Sequence, residues 1–117
     1  MKQLATTLIY LASTLPALAG LSGNQLLEIC RRSSPEDVSF CQGFILGSVN
    51  MGSDVQHYGD SRFIGSGIVS ACVPPEATLD QLVDLALGHL EDTPETRHYS
   101  AASTIWLAMS RAFPCDS

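Results

Sequence analysis

Four cysteines in a chain of 117 residues, Cys30, Cys41, Cys72 and Cys115, constrain the fold more than any other feature. A domain of this size gains only a few kcal/mol from its core, so cross-links decide whether it holds together. Each bridge would add about 2 to 4 kcal/mol, chiefly by restricting the unfolded chain. Zinc is the rival use of four thiolates. The cysteines are separated by 10, 30 and 42 residues, and no C-x-x-C pair presets two ligands on one metal, so the spacing argues against a metal site.

Disulfides need an oxidising compartment, and the N-terminus offers a route to one. Met1 and Lys2 give a short cationic start, an apolar stretch from Leu4 to Leu18 follows, and Ala17-Leu18-Ala19 presents the small-x-small pattern that signal peptidase cuts. Residues 1–19 are therefore expected to be a signal peptide, cleaved after Ala19, and residues 20–117 the mature domain. The stretch is too short and too rich in Ser and Thr to span a bilayer. No later segment reaches 18 apolar residues, so no membrane attachment is expected after cleavage. A catalytic thiol would not persist in such a compartment.

Cleavage removes Lys2, the one lysine, and leaves five arginines against 12 acidic residues, a net charge of −7. A surface of that sign cannot displace counterions from phosphates, which excludes nucleic acid as a partner, and it would steer the domain toward a basic one.

The mature chain reads as all-α, a small disulfide-stapled bundle of about four main helices. Ser22 with Gln25 forms a capping box for a first helix that runs through Leu26, Leu27 and Ile29 to Cys30. Ser34-Pro35-Glu36-Asp37 supplies a cap, a proline at the first helical position and two acids in the first turn of a second helix. Val38, Cys41, Ile45, Ser48 and Val49 give that helix its buried spacing, with Phe40 and Phe44 beside them. Gly43 and Gly47, four apart, are expected to admit a neighbouring helix closely. The stretch from Gly52 to Ser70, interrupted by four glycines, reads as a loop with one helical turn, and Ile68 to Val73 as a short buried run. A third helix starts at Thr78 with a capping box to Gln81 and carries Leu79, Leu82, Val83, Ala86 and Leu90 on one face. Thr93-Pro94-Glu95 is expected to stop it and cap a fourth helix, whose face is Ala102, Ile105, Trp106, Met109 and Phe113. A short connection makes the last two helices an antiparallel hairpin, which brings Cys72 near Cys115, and the first hairpin likewise brings Cys30 near Cys41. That geometry favours those pairs among the three possible connectivities, without excluding the others.

Residues that could carry chemistry are sparse. His57, His89 and His98 stand in no H-E-x-x-H or i, i+4 pair; His98 reads as a structural histidine on the first turn of the fourth helix, and His89 as an exposed helix end. No G-x-S-x-G elbow and no phosphate-binding glycine loop with its lysine occurs. No catalytic, cofactor-binding or metal-ligating residues are assigned, and a binding role fits better than an enzymatic one.

Several segments, taken in order, resemble the Rap/Tai-type immunity family, its Rap1a-like branch included. They are Phe40-Cys41-Gln42-Gly43-Phe44-Ile45-Leu46-Gly47, Cys72-Val73-Pro74-Pro75-Glu76-Ala77-Thr78-Leu79-Asp80-Gln81-Leu82, Val83 to Leu90, Pro94-Glu95-Thr96-Arg97-His98, and Ala112-Phe113-Pro114-Cys115. Together they cover 36 of the 98 residues of the mature chain. The resemblance implies a small, helical, disulfide-containing periplasmic protein of a Gram-negative cell with a type VI secretion system, often a homodimer. It also implies a toxic effector as partner, notably a cysteine amidase that cuts peptidoglycan, blocked by steric occlusion. It carries over no individual contact residue.

The residues themselves nominate two contact regions: Asp54, His57, Tyr58, Asp60 and Arg62 around the glycine-rich loop, and Glu91, Asp92 and Glu95 at the turn after the third helix. A periplasmic stress chaperone and a Rap/Tai-like binding domain with another partner are the alternative readings.

Overall fold

The computed structural model describes residues 20–58 and 69–116. The signal segment 1–19 lies outside them, as do Asp60 and Arg62. Four helices follow in order: α1 (Gly23–Cys30), α2 (Pro35–Tyr58), α3 (Leu79–Asp92) and α4 (Ala101–Ala112), with a 3-10 turn at Pro94–Thr96. Among the described residues there is no named strand, only an isolated antiparallel bridge between Ser22 and Ser100. The all-α expectation stands.

Local chemistry sets most helix starts. Ser22 Oγ accepts from the Gln25 amide while the Gln25 side chain accepts from the Ser22 amide, and Thr78 and Gln81 repeat the arrangement at α3. Each box satisfies two of the amides that a helix N-terminus leaves without partners. At α2, Ser34 Oγ accepts from the Asp37 amide at 3.1 Å and donates to the Asp37 carboxylate at 2.8 Å.

The core is continuous through all four helices. Leu26 and Leu27 of α1, Cys41, Ile45 and Val49 of α2, Leu82, Ala86 and Leu90 of α3, and Ala101, Ile105, Trp106, Ala108 and Met109 of α4 are buried. Burying a side chain such as Leu26, Ile45, Leu90, Ile105 or Met109 contributes roughly 1.5 to 3 kcal/mol. Two disulfides close the frame: Cys30 with Cys41 joins α1 to α2, and Cys72 with Cys115 joins the segment before α3 to the one after α4. Both are the pairs favoured by the hairpin geometry.

Several sequence expectations need correction. Gly43 and Gly47 admit no neighbouring helix: both are exposed, and a Cβ on either would meet nothing within 4 Å. The close approach is made at Gly52 instead. That residue is not in a loop, since α2 continues unbroken to Tyr58. Only part of the expected buried run is buried: Ala71 is, while Val69, Ser70 and Cys72 are exposed. On α4 the buried face includes Ala101, Thr104 and Ala108, whereas Ala102 is exposed. Thr93-Pro94-Glu95 does not cap α4. It forms the 3-10 turn, and α4 starts after Ser100, whose side chain makes no cap hydrogen bond.

Candidate partner-binding site

The connection from α3 to α4 is longer than the short turn expected, and its backbone is fixed from three sides. Thr93 Oγ1 donates to the His89 carbonyl at 2.7 Å, and Thr96 Oγ1 donates to the Thr93 carbonyl at 3.2 Å. The Arg97 guanidinium folds back over the C-terminus of α3, donating from Nε to the Leu90 carbonyl and from Nη2 to the Glu91 carbonyl at 2.8 Å. A cation on the last carbonyls of a helix satisfies acceptors that have no helical partner and opposes the negative end of the helix dipole.

The third anchor is α1. The Asn24 amide donates to the Arg97 carbonyl at 2.8 Å, the Gly23 amide to the Tyr99 carbonyl at 3.0 Å, and the Ala101 amide to the Leu21 carbonyl at 2.7 Å. This contact requires a glycine. A Cβ at Gly23 would stand 2.8 Å from Leu90 Cδ2 and 2.9 Å from the Arg97 carbonyl oxygen.

At the end of α3 and on the loop so held, Glu91, Asp92, Glu95, His98 and Tyr99 are all exposed. The His98 and Tyr99 rings lie 4.2 Å apart at a tilt of 47°, and Tyr99 is 57% exposed. Carboxylates around an exposed aromatic on fixed backbone have the chemistry of an interface anchor, because little conformational freedom remains to be lost on docking. His98 thus precedes α4 and does not lie on its first turn, where the sequence reading had placed it. Tyr99 was missed. Its only sequence signal is an aromatic placed among polar residues between two helices.

His89 also departs from expectation. Its Nε2, on the last turn of α3, is buried without a hydrogen-bond partner among the described residues. Burial lowers its pKa from 6.5, and the nearby Arg111 guanidinium adds to the effect, against opposing contributions from Asp92 and Glu95.

The other nominated region lies on α2. Asp54 and His57 are exposed on the last turns of α2, and Tyr58 ends that helix. Between Asp54 and His57, Gln56 binds Ala71 in both directions, accepting from its amide at 2.8 Å and donating to its carbonyl at 3.0 Å. Ala71 adjoins Cys72, which is bonded to Cys115 beyond the C-terminus of α4, while the loop 93–100 precedes its N-terminus. A helix of 12 residues is about 18 Å long. Val55, beside Asp54, nevertheless lines one cleft with Ala102 and Ser103 on the first turn of α4.

No group of three or more His, Cys, Asp or Glu among the described residues could hold a metal ion. An apolar cleft of about 310 Å³ between α2 and α4 is lined by residues such as Met51, Gly52, Val55 and Trp106, and by no titratable side chain among the described residues. No helix among the described residues is long and apolar enough to cross a membrane.

Fold and surface together define a small all-α domain of four helices stapled by two disulfides. Residues 22–115 match the family model described as Rap1a immunity proteins, and the chain belongs to that family. The match includes both disulfides and the whole of the loop. No curated protein and no solved structure matches the chain.

Proposed function

We propose that this protein is a periplasmic immunity protein that binds a secreted effector and occludes its active site, with the loop from Glu91 to Tyr99 as the main contact. Family membership supports the immunity role. The observation that carries the choice of surface is the Arg97 anchor, which fixes exposed carboxylates and Tyr99 on rigid backbone. A peptidoglycan amidase is the effector class that the family resemblance favours. The net charge of the mature chain would speed encounter with a cationic enzyme, and occlusion requires no catalytic residue on the inhibitor. Export through residues 1–19, with cleavage after Ala19, puts the domain where such an enzyme acts. Asp54, His57, Tyr58, Asp60 and Arg62 are proposed as a second, subordinate contact region.

The test is periplasmic co-expression with the product of the adjacent reading frame. The intact protein should co-purify with that product and rescue cells from lysis. Tyr99→Ala combined with Glu95→Lys should abolish rescue while the circular dichroism spectrum and Tm stay unchanged. Rescue that survives the double substitution removes the loop from the interface; failure of the intact protein both to rescue and to co-purify removes the immunity reading.

A further inference from the structure

Tyr99 is the common wall of two surface recesses. One, of about 370 Å³, borders α4 and is lined by Thr96, Ser100, Ser103, Thr104 and Leu107 besides Tyr99. The other, of about 240 Å³, borders the start of α1 and is lined by residues such as Leu21, Ser22, His98 and Ser100. The Tyr99 ring is exposed and lies against His98. Among the described residues, no Lys, Arg, Asp or Glu lines either recess. Sites for small ligands run upward from about 300 Å³ and combine a mostly apolar lining with a few placed polar groups. This pair has that make-up: an aromatic ring, one leucine in each recess, and hydroxyls between them.

The hydrogen-bonding capacity of the lining narrows the ligand class. Ser100 and Ser103 make no side-chain hydrogen bond within the fold, so each hydroxyl can both donate and accept. Thr96 Oγ1 has its hydrogen committed to Thr93 and can only accept. A phosphate or carboxylate offers acceptors alone, and it would meet the neighbouring Glu91, Asp92 and Glu95. A hydrocarbon would leave the hydroxyls without partners at the cost of their desolvation. An extended peptide pairs through its main chain, but here the Thr96, Tyr99 and Ala101 amides and the Arg97 and Tyr99 carbonyls are already bonded within the protein. A pyranose matches what is left. It has an apolar C–H face for the tyrosine ring and an edge of hydroxyls that both donate and accept. An acetamido substituent adds a methyl group for each leucine. In a β-1,4-linked strand successive rings are turned over, so their acetamido groups project to alternate edges, which suits one leucine on each side of a shared aromatic wall.

We propose that the paired recesses around Tyr99 bind a neutral glycan of N-acetylated amino sugars, with a pyranose stacked on Tyr99, its hydroxyls on Ser100 and Ser103, and acetamido methyls on Leu107 and Leu21. The proposal does not depend on the immunity reading, and its test contains no effector. The processed, disulfide-bonded protein is titrated by NMR with the β-1,4-linked tetramer of N-acetylglucosamine. Saturable shifts should appear at the amides of Thr96, Tyr99, Ser100, Ser103 and Leu107, with a Kd in the millimolar range. The corresponding glucose tetramer, which lacks the acetamido groups, should bind more weakly. Tyr99→Ala should weaken binding roughly tenfold or more, as loss of a central aromatic anchor does. Tyr99→Trp should retain it, because the ring and not the phenol is the platform. Ser100→Ala with Ser103→Ala should weaken it without lowering the Tm, since neither hydroxyl has a partner in the fold. Co-sedimentation with purified peptidoglycan sacculi, competed by the tetramer, would identify the cell wall as the source of the glycan; tetramer binding without retention on sacculi would assign a soluble one. Absence of saturable shifts, shifts confined to other surfaces, or binding that survives Tyr99→Ala overturns the site. Equal affinity for the two tetramers overturns the role of the acetamido groups. A parent that binds no glycan but loses effector rescue on Tyr99→Ala leaves this surface to the effector alone.

Discussion

Trp106 packs directly on Gly52. A methyl group added at Gly52 would lie 2.6 Å from Trp106 Cδ2, 2.7 Å from Cζ3 and closer still to Cε3, so the indole occupies the space that any other residue's Cβ would need. Trp106 is itself 8% exposed, and its indole N–H donates to the Val69 carbonyl at 2.8 Å. One side chain of α4 thereby fixes both α2 and the segment leading to the second disulfide.

Gly52→Ala should therefore destabilise the protein. Overpacking against a held indole costs about 1 to 3 kcal/mol, which outweighs the gain of about 1 kcal/mol in helix propensity. Gly43→Ala and Gly47→Ala, with nothing within 4 Å, should each raise stability by about 1 kcal/mol. Urea denaturation of the three variants at concentrations that keep the chain monomeric separates the cases; equal signs at positions 43 and 52 would contradict the packing at Trp106.

The same three glycines mark the limit of what the sequence made legible. The capping boxes at Ser22 and Thr78 are local chemistry, satisfied by residues three apart, and both form where the sequence places them. The family segments and the helix hairpins were legible for a similar reason, since they depend on short-range order. Which glycine receives a neighbour depends on which side of α2 faces α4, and composition does not carry that information. Gly52 looked like a helix breaker because the tryptophan that uses it lies 54 residues later. Thr93-Pro94-Glu95 has the pattern of a helix start, but Arg97 takes the α3 carbonyls and keeps the chain turning until Ser100. The candidate site was half legible for this reason: Glu91, Asp92 and Glu95 were nominated as surface acids, while Tyr99 acquires its role only from the anchoring of the loop.

The two disulfides should contribute unequally. Their sequence separations are 11 and 43, and loop-closure entropy gives about 3 kcal/mol for the first and about 4 kcal/mol for the second. Paired substitution of Cys72 and Cys115 by alanine should lower stability more than the same change at Cys30 and Cys41. Urea midpoints of the two double variants check the order, and a reversed order would place the dominant constraint in the α1–α2 hairpin.

Arg97→Met should loosen the candidate site while keeping the aliphatic stem. It removes donors from the Leu90 and Glu91 carbonyls, at a cost of about 1 to 2 kcal/mol for partly exposed, charge-assisted bonds. Amide exchange should accelerate at Thr96 and Tyr99, whose N–H groups bond within the loop. If protection there is unchanged, the loop is held by α1 alone and Arg97 is not its anchor.

Acidification should weaken the domain through His89. Its folded-state pKa is lowered by burial and by Arg111, so between that value and 6.5 the unfolded chain binds more protons than the folded one. Stability from this residue is complete above pH 6.5 and is lost as pH falls below 6.5 through the lowered value, where the loss levels off. The orphaned Nε2 has the same physical basis: protonation would put charge on a buried atom that meets no acceptor among the described residues. His89→Leu keeps an apolar side chain at the site and removes the titration. The parent's Tm should drop between pH 7.5 and 5, a window above the ordinary carboxylate range, and the variant's should drop less. Identical slopes for the two proteins would mean that His89 titrates alike in the folded and unfolded chains.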